Sequence, residues 1–197
     1  IQLSSCGVYG SSYKLFENEE TLVSEDTIAN PQNEYEKTKL AADKILISSG
    51  KKNIIDFTIL RPSNVIGEKI ETNIFFKLNR IIKKKLLLKN SENSIATYVH
   101  VDDLVGAIYT IMCNQKSKNN IYNLSLNCNW NKIIDKIANL NKTKLLNFSI
   151  NYKFIIIPLV FLRFIFGKFF YVPTLLTFGK KNNFLSTKIE KSLNFKF

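Results

Sequence analysis

Asn33-Glu34-Tyr35-Glu36-Lys37-Thr38-Lys39 sets a tyrosine and a lysine four residues apart in a segment with helical patterning. Four residues is just over one turn of an α-helix, so Tyr35 and Lys39 project from one face with their head groups within reach of each other. A free phenol titrates near 10, and bringing one to about 7 takes roughly 4 kcal/mol, whereas an exposed ion pair contributes about 0 to 1 kcal/mol. Such a pair serves proton transfer only where the lysine is sheltered and assisted. There the phenol takes a proton from an alcohol, or returns it, near neutral pH. Spacing alone equally fits a solvated i,i+4 contact, so the surrounding sequence has to decide.

Around this pair the chain alternates strand and helix signals. Leu3-Ser4-Ser5-Cys6-Gly7-Val8-Tyr9-Gly10 reads as the end of a buried parallel strand turning at Gly7 and Gly10. Asn30 suits a helix cap, Pro31 a first helical residue and Gly50 a C-terminal stop. Within that helix Tyr35, Lys39, Ala42 and Leu46 repeat at helical spacing and predict a face turned toward a sheet. Ile55 to Leu60 predicts the next strand, ended by Arg61 and Pro62, since proline has no donor for a ladder. Asn73 to about Lys85 predicts a helix burying Phe75, Phe76, Leu78, Ile81 and Ile82, followed by the Leu86–Leu88 run and a polar turn over Asn90–Ser94. Ile95 to Val101 predicts a strand delivering Asp102 as the N-cap of a helix through Met112, with Asp103 a second carboxylate at the helix start and His100 a packing residue. A strand over Asn120–Leu126, a helix over Trp130–Leu140 and a short helix within Leu185–Phe195, capped by Ser186 or Thr187, complete the pattern. Alternation of this kind predicts an α/β chain.

With Ile59-Leu60-Arg61-Pro62-Ser63-Asn64-Val65-Ile66-Gly67 and Tyr98-Val99-His100-Val101-Asp102-Asp103-Leu104 downstream, the sequence resembles the extended short-chain dehydrogenase/reductase family, in its NAD-dependent nucleotide-sugar epimerases and dehydratases. The resemblance implies the C-terminal half of a Rossmann-like, doubly wound parallel sheet over residues 1–115, with substrate-region insertions from about 68. A small α/β substrate-capping region would follow over 116–197. It implies Ser5, Tyr35 and Lys39 as the catalytic set, the same three with Pro62 and Ser63 at an NAD or NADP cofactor, and Asn64 at the substrate phosphates. The implied substrate is a nucleotide sugar, and the full-length form leaves room for a homodimer.

Three departures from the family pattern matter. No G-x-x-G-x-x-G occurs, and Ile1 reads as part of an internal strand. The first half of the dinucleotide domain, with its pyrophosphate turn, is therefore expected to be missing. Ala96 stands two residues before Tyr98, where family epimerases often carry an arginine for substrate phosphate. Cys6 and Gly7 stand where 4,6-dehydratases carry an Asp-Glu pair, which disfavours elimination and leaves an epimerase or a simple reductase. Two other readings remain: a reductase or dehydrogenase of an apolar alcohol or ketone on the same fold, and a truncated chain without catalysis of its own, which would bind NAD weakly or not at all.

Composition narrows the partners. The 28 Lys and Arg against 16 Asp and Glu give a net charge of +12, yet the charge is scattered and only Arg80–Lys85 forms a run, on an amphipathic helix. A basic face interleaved with aromatics is lacking, so nucleic acid is not an expected partner. Cys6, Cys113 and Cys128 are odd in number, share no metal-ligand spacing, and fit reduced thiols of a cytoplasmic protein. Residues 154–178 are strongly apolar but interrupted by Pro158, Arg163, Lys168 and Pro173. They fall short of the roughly 20 apolar residues of a span and predict a buried or interfacial helix pair, so any membrane attachment would run through this segment.

Overall fold

A computed structural model describes residues 1–10, 20–70, 74–84, 89–90, 94–145, 149–150 and 181–197. In chain order its elements are β1 (Gln2–Leu3), β2 (Thr21–Val23), α1 (Glu34–Lys51), β3 (Thr58–Pro62), β4 (Asn64–Ile66), α2 (Ile74–Lys83), β5 (Lys89–Asn90) and β6 (Ile95–His100). These are followed by α3 (Val101–Cys113), β7 (Asn120–Leu124), β8 (Leu126–Asn129), α4 (Trp130–Leu140), β9 (Ser149–Ile150), β10 (Asn182–Phe184) and α5 (Thr187–Leu193).

β3 is buried at every residue, as a strand covered on both faces must be, and it is the centre of a parallel sheet in the order β1-β3-β7. Leu3 pairs with Leu60, and Pro62 with Leu124. Two serines break this sheet on adjacent strands. After Pro62, which has no donor, the amide of Ser63 donates to Leu124 O at 3.0 Å and β4 leaves to pair with β6. After Leu124, Ser125 breaks β7 and β8 turns antiparallel to β6. The parallel pair β2 and β10 lies beside these strands, and Asn127 Nδ2 ties β8 to β10 by donating to Phe184 O at 2.8 Å.

Among the described residues, three apolar clusters hold the layers. Leu60, Val99, Leu104, Ile111, Tyr122 and Leu124 pack with Ile189 and Leu193 of α5. Leu78 and Ile82 of α2 meet Trp130, Ile134 and Ala138 of α4 over Ala96. Cys6, Val8 and Tyr9 pack on Val23 and Phe184. Burying side chains of this size contributes about 1.5–3 kcal/mol each.

The expected elements appear with shifted boundaries that have local causes. α1 starts at Glu34 rather than Pro31, because Asn33 and not Asn30 caps it: Glu36 N donates to Asn33 Oδ1 at 2.9 Å, and Glu36 Oε2 accepts from Gln32 N at 2.6 Å. Its buried residues are Asp43 and Gly50, whereas Leu40, Ala42 and Leu46 are half-buried and Tyr35 is exposed. Gly50 is the second-last helical residue, where a Cβ would stand 2.3 Å from the Phe57 ring. β3 starts at Thr58 and includes Arg61 and Pro62. On α2, Phe76 and Ile81 are exposed while Leu78 and Ile82 are buried. His100, not Asp102, is the N-cap of α3: its Nδ1 accepts from Asp102 N at 3.3 Å. Thr187–Leu193 forms the last helix, and its cap Ser186 spends its hydroxyl on Ser125 instead of on the helix. The expectations for the opening of α2 at Asn73, for Leu86–Leu88 and for 154–178 lie outside the described residues. Among the described residues no helix is long and apolar enough to cross a membrane.

Candidate active site

Ser5 follows β1 and caps the 3-10 turn Cys6–Tyr9, its Oγ accepting from Gly7 N at 3.0 Å while keeping its own hydroxyl proton to donate. Gly10 closes that turn at φ +75°, where a Cβ would lie 2.1 Å from Asn30 O, so only glycine fits. The close approach, with Asn30 N donating to Val8 O at 3.0 Å, brings the start of α1 alongside Ser5.

Tyr35 lies in the first turn of α1 and is 59% exposed. One turn on, Lys39 Nζ lies 5.7 Å from the centre of the Tyr35 ring and donates to Leu3 O at 2.9 Å. Tyr35, Ser5, Ser63 and Asn64 line one cleft of about 330 Å³, together with Trp130 of α4 and Phe184 of β10. Asn64 is the first residue of β4, its Nδ2 donating to Thr97 O at 2.8 Å, rather than part of a turn. Ser63 Oγ is buried and has no hydrogen-bond partner among the described residues, an arrangement that a bound polar group would relieve. Pro62 is buried at the end of β3 and is not among the lining residues.

Behind the cleft runs a buried polar network that spacing did not reveal. Asp43, fully buried, accepts at Oδ2 from Ser4 Oγ (2.9 Å) and from Arg61 Nε (3.1 Å) and Nη2 (3.0 Å). Arg61 Nη1 donates to Tyr9 OH at 2.8 Å, and Tyr9 OH donates to Asn123 Oδ1 at 2.8 Å. The sequence carried one signal for it: an arginine inside an apolar buried strand requires an acid partner. Burial pushes the Asp43 carboxyl above the ordinary range, with Arg61 and the Ser4 hydrogen bond opposing. Burial also works against the charge on Arg61, but Tyr9 and Asp43 outweigh it and hold the guanidinium above its usual value. The Tyr9 phenol is pushed up to about 12, chiefly by burial against the pull of Arg61. Burial raises the Cys6 thiol far above its ordinary value, and Sγ donates to Arg61 O at 3.0 Å, so Cys6 is a packing thiol.

A parallel sheet with helical crossovers, opening at its strand ends onto a cleft that carries Ser5, Tyr35 and Ser63, defines a Rossmann-like α/β protein. The sequence profile of the NAD dependent epimerase/dehydratase family matches residues 1–125, and the chain belongs to that family. The bifunctional polymyxin resistance protein ArnA of Wigglesworthia glossinidia brevipalpis is 28% identical over 131 residues, covering 59% of this chain and 20% of that protein. Among solved structures, a UDP-glucuronic acid 4-epimerase of Bacillus cereus in complex with NAD superposes with TM-score 0.68 at 16% identity, over 98% of this chain and 54% of that one. A UDP-glucose 4-epimerase of Thermotoga maritima with UDP-glucose gives TM-score 0.66 at 16% identity, over 98% and 56%. The chain thus spans a fifth of the curated relative and little more than half of these structures.

Proposed function

We propose that this chain carries the proton-transfer and substrate side of an NAD(P)-dependent nucleotide-sugar epimerase or related sugar oxidoreductase. The observation that carries the reading is the convergence of Ser5, Tyr35, Ser63 and Asn64 on one cleft, with Lys39 fixed one turn behind the tyrosine. Membership of the epimerase/dehydratase family and the NAD and UDP-glucose named with the neighbours support it.

The residues present fit the nicotinamide end of a dinucleotide. Ser63 offers a buried hydroxyl lacking a partner among the described residues, and Lys39 offers an ammonium beside the phenol. A bound nicotinamide would accept and return hydride at the sugar carbon. Tyr35 takes the proton from the sugar hydroxyl and gives it back, while Ser5 donates a hydrogen bond to the same oxygen and so aligns it. Lys39 holds its ammonium 5.7 Å from the centre of the phenol ring and ties this turn of α1 to Leu3 O. Asn64 orients the substrate from the rim of β4, and Trp130 and Phe184 supply a flat apolar wall for a sugar ring. With Cys6 buried and Gly7 without a side chain, the turn itself offers no acid for elimination, which favours epimerisation or reduction.

In this reading residues 1–115 serve the cofactor side and 116–197 the substrate side, with β7 reaching back into the cofactor sheet. The rest of the dinucleotide site would come from outside these 197 residues. The test is turnover of a nucleotide-sugar panel with NAD and NADP by full-length protein carrying this chain. Tyr35→Phe should lower kcat at least 100-fold with KM nearly unchanged. Residual turnover within a few-fold of wild type would refute the assignment.

A further inference from the structure

Glu36 follows Tyr35 on α1 and leans over the turn that carries Ser5. The point a Cβ on Gly7 would occupy is 3.1 Å from Glu36 Cγ, 3.4 Å from Glu36 Oε1 and 3.2 Å from Ser5 Oγ. The carboxylate and the Ser5 hydroxyl therefore share one corner of the cleft, and Gly7 lacks a side chain where Glu36 needs the room. Glu36 Oε2 accepts from Gln32 N at 2.6 Å, which holds the group in place.

Among the described residues that line the cleft, Glu36 is the one charged side chain. The rest of the lining includes the neutral polar groups of Ser63, Asn64 and Thr97 and the rings of Trp130 and Phe184. Ala96 presents only a methyl group from β6. Lys39, 5.7 Å from the centre of the Tyr35 ring, donates to Leu3 O and is not among the lining residues. A carboxylate on the reacting ring of a substrate would approach Glu36 in a half-enclosed site with no described lining cation to offset the repulsion. Sugar hydroxyls would instead meet an acceptor.

Resting on the sugar reading above, we propose that Glu36 is the specificity-determining residue of this cleft. It selects a sugar whose reacting ring bears only hydroxyl or other uncharged groups, and it rejects uronic-acid rings.

The experiment measures kcat/KM of full-length protein carrying this chain for a neutral nucleotide hexose and for the matching nucleotide uronate. Wild type should prefer the neutral sugar at least tenfold. Glu36→Gln, which keeps an acceptor for Gln32 N, should narrow the ratio at least fivefold, mainly through a lower KM for the uronate. A wild-type ratio near one, or in favour of the uronate, overturns the proposal without need of any variant. So does an unchanged ratio in a Glu36→Gln protein that melts like wild type. Turnover of neither sugar, with turnover of a lipophilic ketone instead, overturns the sugar reading itself and this inference with it.

Discussion

Arg61→Met removes the N–H groups on which the buried network behind the cleft depends. Asp43 Oδ2 would lose the donors at 3.1 and 3.0 Å and keep only Ser4 Oγ at 2.9 Å, while Tyr9 OH would lose its donor at 2.8 Å. Both partners are shielded from water, with Arg61 4% and Asp43 0% exposed. Breaking a buried pair from one side costs about 3–5 kcal/mol, because the other charge stays behind. For a chain of 197 residues this is a Tm loss of roughly 6–20 °C, at about 2–4 °C per kcal/mol. The mechanism adds a signature that a simple cavity lacks. Burial already raises Asp43 in the fold, and without Arg61 it rises further, so the unfolded chain releases that proton first as pH climbs above about 4. Stability of the variant then falls with rising pH, by up to about 1.4 kcal/mol per unit, until the folded value is passed. The deficit against wild type should therefore be smaller at pH 5 than at pH 8. Adding Asp43→Leu should recover much of the loss at pH 8, since an apolar pair replaces the stranded charge. Urea unfolding across that pH range reads both effects. A deficit under about 1 kcal/mol, or one that is flat in pH and unrelieved by Asp43→Leu, would refute the network as a coupled buried pair.

Three further outcomes follow from the same geometry. Tyr9, raised to about 12 in the fold against about 10 unfolded, makes wild type lose stability as pH rises between those values, because the unfolded phenol ionises first. Urea midpoints in Tyr9→Phe should lack that part of the alkaline slope, and an identical slope would count against the assignment. Gly10→Ala puts a methyl group 2.1 Å from Asn30 O at φ +75°, so it should cost at least about 1–3 kcal/mol in urea unfolding; a change within 0.5 kcal/mol, roughly the scatter of surface substitutions, would contradict the close approach. Ser63→Ala removes a buried hydroxyl without a partner among the described residues, so the ligand-free protein should be as stable or slightly more stable. Calorimetric titration of full-length protein should show weaker NAD(P) or substrate binding, and unchanged affinity for both would remove Ser63 from the site.

What the sequence disclosed follows from how far apart the interacting residues lie. The strand at β3, the helix over Trp130–Leu140 and the Tyr35/Lys39 turn are written in local periodicity, and they stand where periodicity put them or within three residues of it. The start of α1 moved because Asn30 and Asn33 compete as caps, and composition does not say which side chain reaches Glu36 N. His100 capping α3 is the same kind of local choice: imidazole Nδ1 reached the Asp102 amide before any carboxylate did. The Asp43–Arg61–Tyr9–Asn123 network joins residues 18, 52 and 114 positions apart, and no local pattern encodes such contacts. Glu36 was equally hidden, since the residue it leans over, Gly7, has no side chain to betray the contact.

The turn from Ser4 to Gly10 serves the buried network and the cleft at once, because its residues divide between the two. Ser4 donates inward to Asp43, Ser5 opens onto the cleft, Cys6 donates inward to Arg61 O, Gly7 lies beneath Glu36, and Tyr9 closes the network. The Ser5 hydroxyl is therefore fixed by a core held rigid on both sides of it. Tyr35 is different: exposed in the first turn of α1, it gains little from burial, and its position depends on the Asn33 cap and on the tie from Lys39 Nζ to Leu3 O. Loosening the core should thus weaken alignment of the substrate oxygen at Ser5, whereas loosening the cap should let the phenol itself drift. The two faults are separable, because the first lowers stability and turnover together and the second, at an exposed helix end worth about 1 kcal/mol, lowers turnover with little loss of stability.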